Sequence, residues 1–258
     1  MKLSVIMVAY NSETTVARSV RSFLEQDYAD KELIVVDGAS TDRTCDIIAE
    51  VADNAGMAGA SISVVSEPDT GIYDGLNKGI GRATGGIIGL LHSNDVFAST
   101  GILSRVASAF EGCDLDAVYA DVEFFPEHAP EKTTRRYRSG KFSPAQLGHG
   151  ILPAHPTLFL KSDVFERFGR YDTSYKISGD FEFVARIFKD DSLAYRHFDE
   201  VWTRMQTGGA STSGIRSKVT LNVETLRACR TLGIKSNMAK LMVKYLRKLP
   251  EFLPAGWR

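Results

Sequence analysis

Cysteine is scarce in this sequence and net charge is nearly absent, and each shortage removes a class of protein. Only three cysteines occur among 258 residues, Cys45, Cys113 and Cys229. They share no short spacing, which argues against a zinc site or a redox pair and favours a reducing compartment. The formal net charge is -1, so no global basic field points to nucleic acid, and a polyanion would have to bind locally. No run approaches the ~18 apolar residues of a spanning helix. Leu3 to Ala9 is too short for a signal-peptide core and lacks a cleavage site. The expectation is a cytoplasmic chain, neither translocated nor integral. No G-x-G-x-x-G follows the first apolar run and no P-loop occurs, which counts against a nicotinamide oxidoreductase or other dinucleotide binder.

What is present is an ordinary globular composition, 43% hydrophobic and 24% charged, enough for one sizeable core. The first hundred residues alternate short β-branched runs with helical patterns, the signature of βα units around a parallel sheet. The runs are Leu3 to Val8, Leu33 to Val36, Ile62 to Val65 and Ile87 to Leu91. Between them Val16, Val20, Phe23 and Leu24 recur at helical spacing, as do Ile47, Ile48 and Val51, then Ile72, Leu76 and Ile80. Asn11-Ser12 and Ser40-Thr41 are expected to cap the helices that follow them.

Each run is followed by a polar cluster: Tyr10-Asn11, Asp37-Gly38-Ala39-Ser40, Glu67-Pro68-Asp69-Thr70-Gly71 and His92-Ser93-Asn94-Asp95. A parallel sheet gathers the carboxyl ends of its strands on one edge, so these clusters meet in one crevice, the default ligand site. Asp95 in that position would hold a hard cation such as Mn²⁺ or Mg²⁺ beside a diphosphate; the other reading is a turn in which Asn94 and Asp95 cap a helix starting near Ser99. Asp37 would accept from a base N–H or a ribose hydroxyl, or else form an Asx turn.

After residue 112 the pattern changes to scattered strands. Glu131-Lys-Thr-Thr-Arg-Arg-Tyr-Arg-Ser-Gly-Lys141 reads as a mobile loop, either merely solvated or acceptor-binding. Order returns with a strand over Thr157 to Leu160, a helix from about Ser162 to Phe168, and helical spacing over Asp180 to Phe188.

Six segments together resemble the family 2 glycosyltransferases with the GT-A fold, especially bacterial members that build exopolysaccharide and O-antigen chains. They are Val5-Ile-Met-Val-Ala-Tyr-Asn11, Ile34-Val-Val-Asp-Gly-Ala-Ser-Thr-Asp42, Glu67-Pro-Asp-Thr-Gly-Ile-Tyr-Asp-Gly-Leu-Asn-Lys-Gly79, His92-Ser-Asn-Asp95, His155-Pro-Thr157 and Ser178-Gly-Asp-Phe-Glu182. The resemblance runs from Leu3 to about Ser211. It implies an α/β, GT-A-like fold, with a mostly parallel central sheet flanked by helices and a C-terminal helical segment. It divides the chain into a glycosyltransferase domain over 1–212, with a nucleotide-binding half (1–111) and an acceptor-binding half (112–212), and a helical extension over 213–258.

By position, the resemblance implies that Ala9 and Tyr10 form the loop beneath the base, with Asp37 contacting base or ribose. Asp74, Asn77 and Lys78 flank the nucleotide. Asp95 is the last acid of a metal-binding DxD-type motif, and His155 lies near donor and acceptor. Asp180 is the catalytic base of an inverting transfer, the other reading being a carboxylate that simply favours the dipole of the helix it begins, and Glu182 is an orienting or structural partner. The chain departs from the pattern at Asn94, where family members usually carry a second Asp, and at His92, where they commonly carry Asn. An amide oxygen still ligates a hard cation, so weaker metal affinity is the consequence.

The implied partners are a nucleoside-diphosphate-sugar donor and a glycan or lipid-linked glycan acceptor, without nucleic acid. A catalytically silent sugar-nucleotide-binding protein is the alternative that Asn94 motivates. Gly208-Gly-Ala-Ser-Thr212 resembles the segment that closes over the diphosphate in relatives, or is a plain linker. Residues 237–249 read as a basic amphipathic helix, with Met238, Leu241, Met242, Tyr245, Leu246 and Leu249 on one side and Lys240, Lys244, Arg247 and Lys248 mostly on the other. Such a helix suits peripheral association with the inner membrane face, packing on the domain, or a homodimer contact.

Overall fold

The computed structural model describes residues 1–54, 60–208 and 214–248. The first half runs β1 (Leu3–Ala9), α1 (Val16–Leu24), β2 (Lys31–Asp37), α2 (Thr44–Asn54), β3 (Ala60–Ser66), α3 (Ile72–Arg82), β4 (Ile87–Leu90), β5 (Val96–Phe97) and α4 (Ile102–Phe110). The second half runs β6 (Ala117–Phe125), β7 (Arg135–Tyr137), β8 (Phe159–Lys161), α5 (Ser162–Phe168), α6 (Gly179–Phe188), β9 (Tyr195–Gln206), α7 (Ile215–Thr231) and α8 (Met238–Lys248).

Among the described residues the strands form one sheet in the order β3-β2-β1-β4-β8-β6-β9-β5, with β7 added to β6. The pairs β2–β3, β1–β2, β1–β4 and β6–β9 are parallel, and β8 is antiparallel to both β4 and β6. Six strands therefore share one direction, with β5, β7 and β8 reversed, so the sheet is mostly parallel as expected.

Helices cover both faces, which is why the inner strands read as continuous apolar runs. Along β1 the two-residue period divides the faces. Leu3, Val5 and Met7 join Val16, Val20, Phe23, Ile48 and Val106, whereas Ile6 joins Leu76, Ile80, Val164 and Phe183 on the other side. Each such side chain, fully buried, is worth roughly 1.5–3 kcal/mol. The core therefore fixes the strand ends, and the polar rim inherits its geometry from them.

Several local expectations are corrected. The stretch from Glu131 to Lys141 is not one loop, because β7 pairs with β6 through Val122–Tyr137, Glu123–Arg136 and Phe124–Arg135, and Ser139–Lys141 is a 3-10 turn. Thr157 closes another 3-10 turn, and the strand that follows is Phe159–Lys161. On α3 the buried stripe is Tyr73, Leu76 and Ile80, while Ile72 is exposed. The next helix after Asp95 begins at Ile102 with no side-chain cap, so Asn94 and Asp95 do not cap it. Residues 209–212 and Leu249 lie outside the described residues. Among the described residues no helix is long and apolar enough to cross a membrane.

Candidate active site

The expected helix caps at Asn11-Ser12 and Ser40-Thr41 turn out to be bonds between loops. Ser40 Oγ accepts from the Asn11 amide at 2.8 Å, and Asn11 Oδ1 accepts from the Thr41 amide at 3.0 Å. Asn11 and Ala39 both sit at positive φ, 45° and 60°, a conformation Asn tolerates and Ala does not favour. Ser66 Oγ donates to Asp37 Oδ2 at 2.7 Å, and the hydroxyls of Ser12 and Ser93 lie 2.9 Å apart. The loops after β1, β2 and β4 and the end of β3 are thus tied through side chains, to backbone amides and to one another, along the carboxyl edge of the sheet.

Asp37 is fully buried in this lattice, bonded to the Ser40 amide, the Ser40 hydroxyl and Ser66. Burial alone would raise its pKa, but these bonds and one from Cys45 outweigh it and hold the carboxyl below the usual range. Ala9 is buried in register with Asp37, and Tyr10 beside it is 62% exposed, an uncovered ring at the rim. Gly38 keeps that rim open: a methyl group there would lie 2.8 Å from Asp69 Oδ2 and 3.4 Å from the Tyr10 ring.

Asp74 accepts from the Thr70 amide at 3.1 Å and pairs with Lys78 at 3.4 Å, while Lys78 donates to the Pro68 carbonyl at 2.7 Å. Asn77 behaves differently. Both ends of its amide are taken by the backbone of Tyr171, at 2.8 and 2.9 Å, which clips α3 to the segment leading into α6.

Asp95 lies before β5 and is 1% exposed. Its Oδ1 accepts from the Gln206 amide at 3.2 Å, whereas Oδ2 is buried without a hydrogen-bond partner. Burial raises this carboxyl to about 7, against the opposing effects of the Gln206 amide and Arg18. Arg18 donates to Gln206 Oε1 at 2.7 Å and lies over the Phe125 ring. Among the described residues no three His, Cys, Asp or Glu side chains converge to hold a metal. One buried, unpartnered carboxylate oxygen beside the half-buried Asn94 amide nonetheless fits a hard cation whose other ligands come from a bound diphosphate and water.

The second pole of the site is Asp180 at the first turn of α6. Its Oδ1 accepts from the Phe181 amide at 2.7 Å and lies 3.4 Å from the Tyr73 hydroxyl, which donates to the Ile177 carbonyl at 2.6 Å. Burial raises the carboxyl above the usual aspartate value, partly opposed by Phe181, Tyr73 and His92. Burial also lowers His92 to about 4, with His155 pushing the same way and Asp180 opposing. His155 is lowered by burial to about 4 and its Nε2 is 2.9 Å from the Tyr171 hydroxyl. At neutral pH the imidazoles of His92 and His155 are therefore neutral. Gly179 is required for this packing, since a Cβ there would come 2.7 Å from the Tyr73 ring.

The turn before Asp180 is held from α7. Glu224 accepts from the amides of Lys176, Ile177 and Ser178, each at 2.9 Å. Burial pushes the Glu224 carboxyl up, but the three amides prevail and hold it low. Glu182 faces away from this chemistry, paired with Arg186 at 2.8 Å.

Asp180 and His155 line a cavity of about 640 Å³ bounded by β6, β7 and the turns between β7 and β8. None of the other expected site residues lines it: Ala9, Tyr10, Asp37, Asn94 and Asp95 belong to the adjoining sheet edge, and Asp74, Asn77 and Lys78 to α3. The segment His92 to Asp95 connects the two poles electrostatically, since Asp180 acts on the charge of His92 and Arg18 on that of Asp95. Sequence reasoning missed Arg18, Tyr73, Tyr171, Gln206 and Glu224. Of these only Tyr73 lay inside a recognised motif.

A family model described as glycosyl transferase family 2 matches residues 4–168. A protein called "PGL/p-HBAD biosynthesis glycosyltransferase" in Mycobacterium bovis is 28% identical over 251 residues, covering 97% of this chain and 91% of that one. An uncharacterised glycosyltransferase of Mycobacterium tuberculosis is 28% identical over 71% of this chain and 68% of its own length. Among solved structures, S. aureus TarS 1-349 in complex with UDP-GlcNAc superposes with a TM-score of 0.65 at 16% identity, covering 98% of this chain and 78% of that one. The mannosyltransferase PcManGT from Pyrobaculum calidifontis, in complex with GDP-Man and Mn²⁺, gives 0.64 at 16% identity, covering 90% and 67%. At such identities the likeness shows the fold, a mixed α/β sheet of the GT-A type.

Proposed function

This chain belongs to glycosyl transferase family 2, and from that premise we propose that it is an inverting enzyme moving a sugar from a nucleoside diphosphate to an acceptor hydroxyl in bacterial surface glycan or glycolipid synthesis. The observation that carries this reading is the pairing of a half-buried Asp180 in the cavity wall with an orphaned Asp95 oxygen on the sheet edge, joined through His92 to Asp95. The names of the mycobacterial relatives and the nucleotide-sugar complexes of the structural neighbours support it.

In this reading the donor lies along the sheet edge, its base against Tyr10 and its ribose near the Asp37 loop. Asp95, with the adjacent Asn94 amide, would hold Mn²⁺ or Mg²⁺, which when bound supplies positive charge to the diphosphate leaving group. The acceptor enters from the cavity. Asp180 takes the hydroxyl proton as the acceptor oxygen bonds to the anomeric carbon and the carbon–oxygen bond to the diphosphate breaks, its electron pair leaving with the phosphate. Attack from the side opposite the leaving group inverts the centre. His155 and Tyr171 fix the cavity floor, and Tyr73 holds the turn that carries Asp180.

A peripheral membrane position is part of the proposal. Met238 and Met242 on α8 are 44% and 50% exposed while Leu241 is buried, which leaves two thioether side chains on the outer face of a lysine-bearing helix. The test of the central reading is a panel of UDP-, GDP- and dTDP-sugars, with and without Mn²⁺, scored by thermal stabilisation and nucleotide release. One donor should raise the melting temperature and be turned over. Stabilisation without release under any condition would favour the silent sugar-nucleotide-binding protein.

A further inference from the structure

The cavity that reaches Asp180 is built of two unlike walls. One is apolar, with Phe142, Ile151, Leu152, Pro153 and Met205 among its residues. The other is basic. Arg135, Arg138 and Lys141 all line the cavity, and Asp180 is the one carboxylate among its lining residues.

The alternation of β7 sorts its cations. Arg136 points to the far side, where it meets the buried Asp121 at 2.8 Å and Asp199 at 2.9 Å. Its neighbours Arg135 and Tyr137 face the cavity, with the Arg135 guanidinium over the Phe124 ring, 4.0 Å from its centroid. Arg138 and Lys141, just beyond the strand, are exposed, and neither has an ion pair or hydrogen bond among the described residues. The same short segment thus spends one arginine on a structural carboxylate and leaves two cations on the cavity wall without a counter-ion among the described residues. Two unpaired cations on the wall of one cavity favour an anionic ligand there, and a guanidinium fork matches phosphate oxygens.

We infer that the cavity takes an anionic amphiphile: an acceptor whose apolar segment lies against Phe142, Ile151 and Leu152 and whose phosphate lies between Arg138 and Lys141. Its reactive hydroxyl reaches Asp180 from that position. The inference rests on the transfer reading above for the role of Asp180 and narrows its acceptor to a phosphate-bearing amphiphile. The volume of about 640 Å³ is of the size that encloses a compact ligand segment rather than a whole chain.

Calorimetric titration of the full chain with octyl phosphate, octyl β-glucoside and inorganic phosphate tests it. Octyl phosphate should bind about tenfold more tightly than octyl β-glucoside, the discrimination expected of charge-assisted bonds at a partly exposed site. Inorganic phosphate should bind far more weakly than either. In the Arg138→Glu, Lys141→Glu double variant the preference for octyl phosphate should vanish while octyl β-glucoside binds as before; both positions are exposed, and an unchanged thermal unfolding curve checks the fold. Equal affinity for the two amphiphiles in the wild type, persistence of the preference in the variant, or inorganic phosphate matching octyl phosphate would each overturn the inference. The transfer reading is scored separately on the wild type. If no sugar nucleotide stabilises it, both readings fall; if one does and the amphiphiles bind alike, only this inference falls.

Discussion

Tyr73 and Asp180 are 107 positions apart in the chain, and the Tyr73 hydroxyl lies 3.4 Å from Asp180 Oδ1 while donating to the Ile177 carbonyl at 2.6 Å. A phenol has one proton, so the shorter bond takes most of it and the carboxylate receives a weaker contact. Tyr73 therefore acts on Asp180 mainly by holding its turn in place. The first-half helix α3 and the second-half helix α6 meet at this point.

Asp180→Asn should retain donor-induced thermal stabilisation and lose transfer by about 10²–10⁴-fold, the usual range for a general base. In the wild type, kcat/KM should fall in acid as one group is protonated, with a midpoint above the ordinary aspartate value of 3.8 because burial raises Asp180. A midpoint below that value, or a fully active Asn variant, would contradict the assignment.

Tyr73→Phe removes a hydrogen bond that lowers the Asp180 pKa. The acid limb of the rate profile should therefore move upward, by less than about one pH unit for so long a contact, together with a few-fold drop in kcat. An unmoved limb with a lower kcat would leave Tyr73 a purely structural role.

Asp95 has a pKa raised to about 7, so a cation must displace a proton from a sizeable fraction of molecules at neutral pH. Mn²⁺-dependent donor binding, followed by calorimetry, should strengthen as pH rises from about 6 to 8. Asp95→Asn should reduce that dependence on metal and on pH together. Retention of both in the variant would move the cation elsewhere.

Glu32 gives a stability test remote from the chemistry. Burial would raise its pKa, but Lys2, Ser4 and Thr84 bond to it and lower it to about 2, from 4.5. Its folded value lies below its unfolded value, so the stabilisation is complete above pH 4.5 and is lost as pH falls toward 2. Glu32→Gln should cost about 2–3 kcal/mol in urea unfolding at pH 7, and clearly less at pH 3.5. A pH-independent difference would mean that the packing of the side chain, rather than its charge, supports the sheet.

The order of strands and helices in the first half was legible because βα units impose two distinct periods that one chain can display in turn. The rim was legible for the same reason: Asp37 and Asp95 follow runs that could only be buried strands. Asp180 came from resemblance, since a carboxylate in a first helical turn has an ordinary structural use. The basic stretch was read as a loop because three residues of β7 are too few to show alternation, and the opposite destinations of Arg135 and Arg136 appear only once β6 is beside them. Arg18 gave no signal, for an arginine beside the apolar stripe of α1 reads as solvent-facing. Glu224 was invisible because its partners are backbone amides, which no side-chain pattern records.

Glu224 carries a practical consequence for any attempt to trim the chain. A version ending at residue 212 would remove the Glu224 carboxylate, which accepts from three consecutive peptide N–H groups just upstream of Asp180. Those donors would then compete for water or for nearby oxygens, and the turn that carries Asp180 would lose its anchor. The helix that resembles an appendage is, in this respect, what fixes the turn leading into α6.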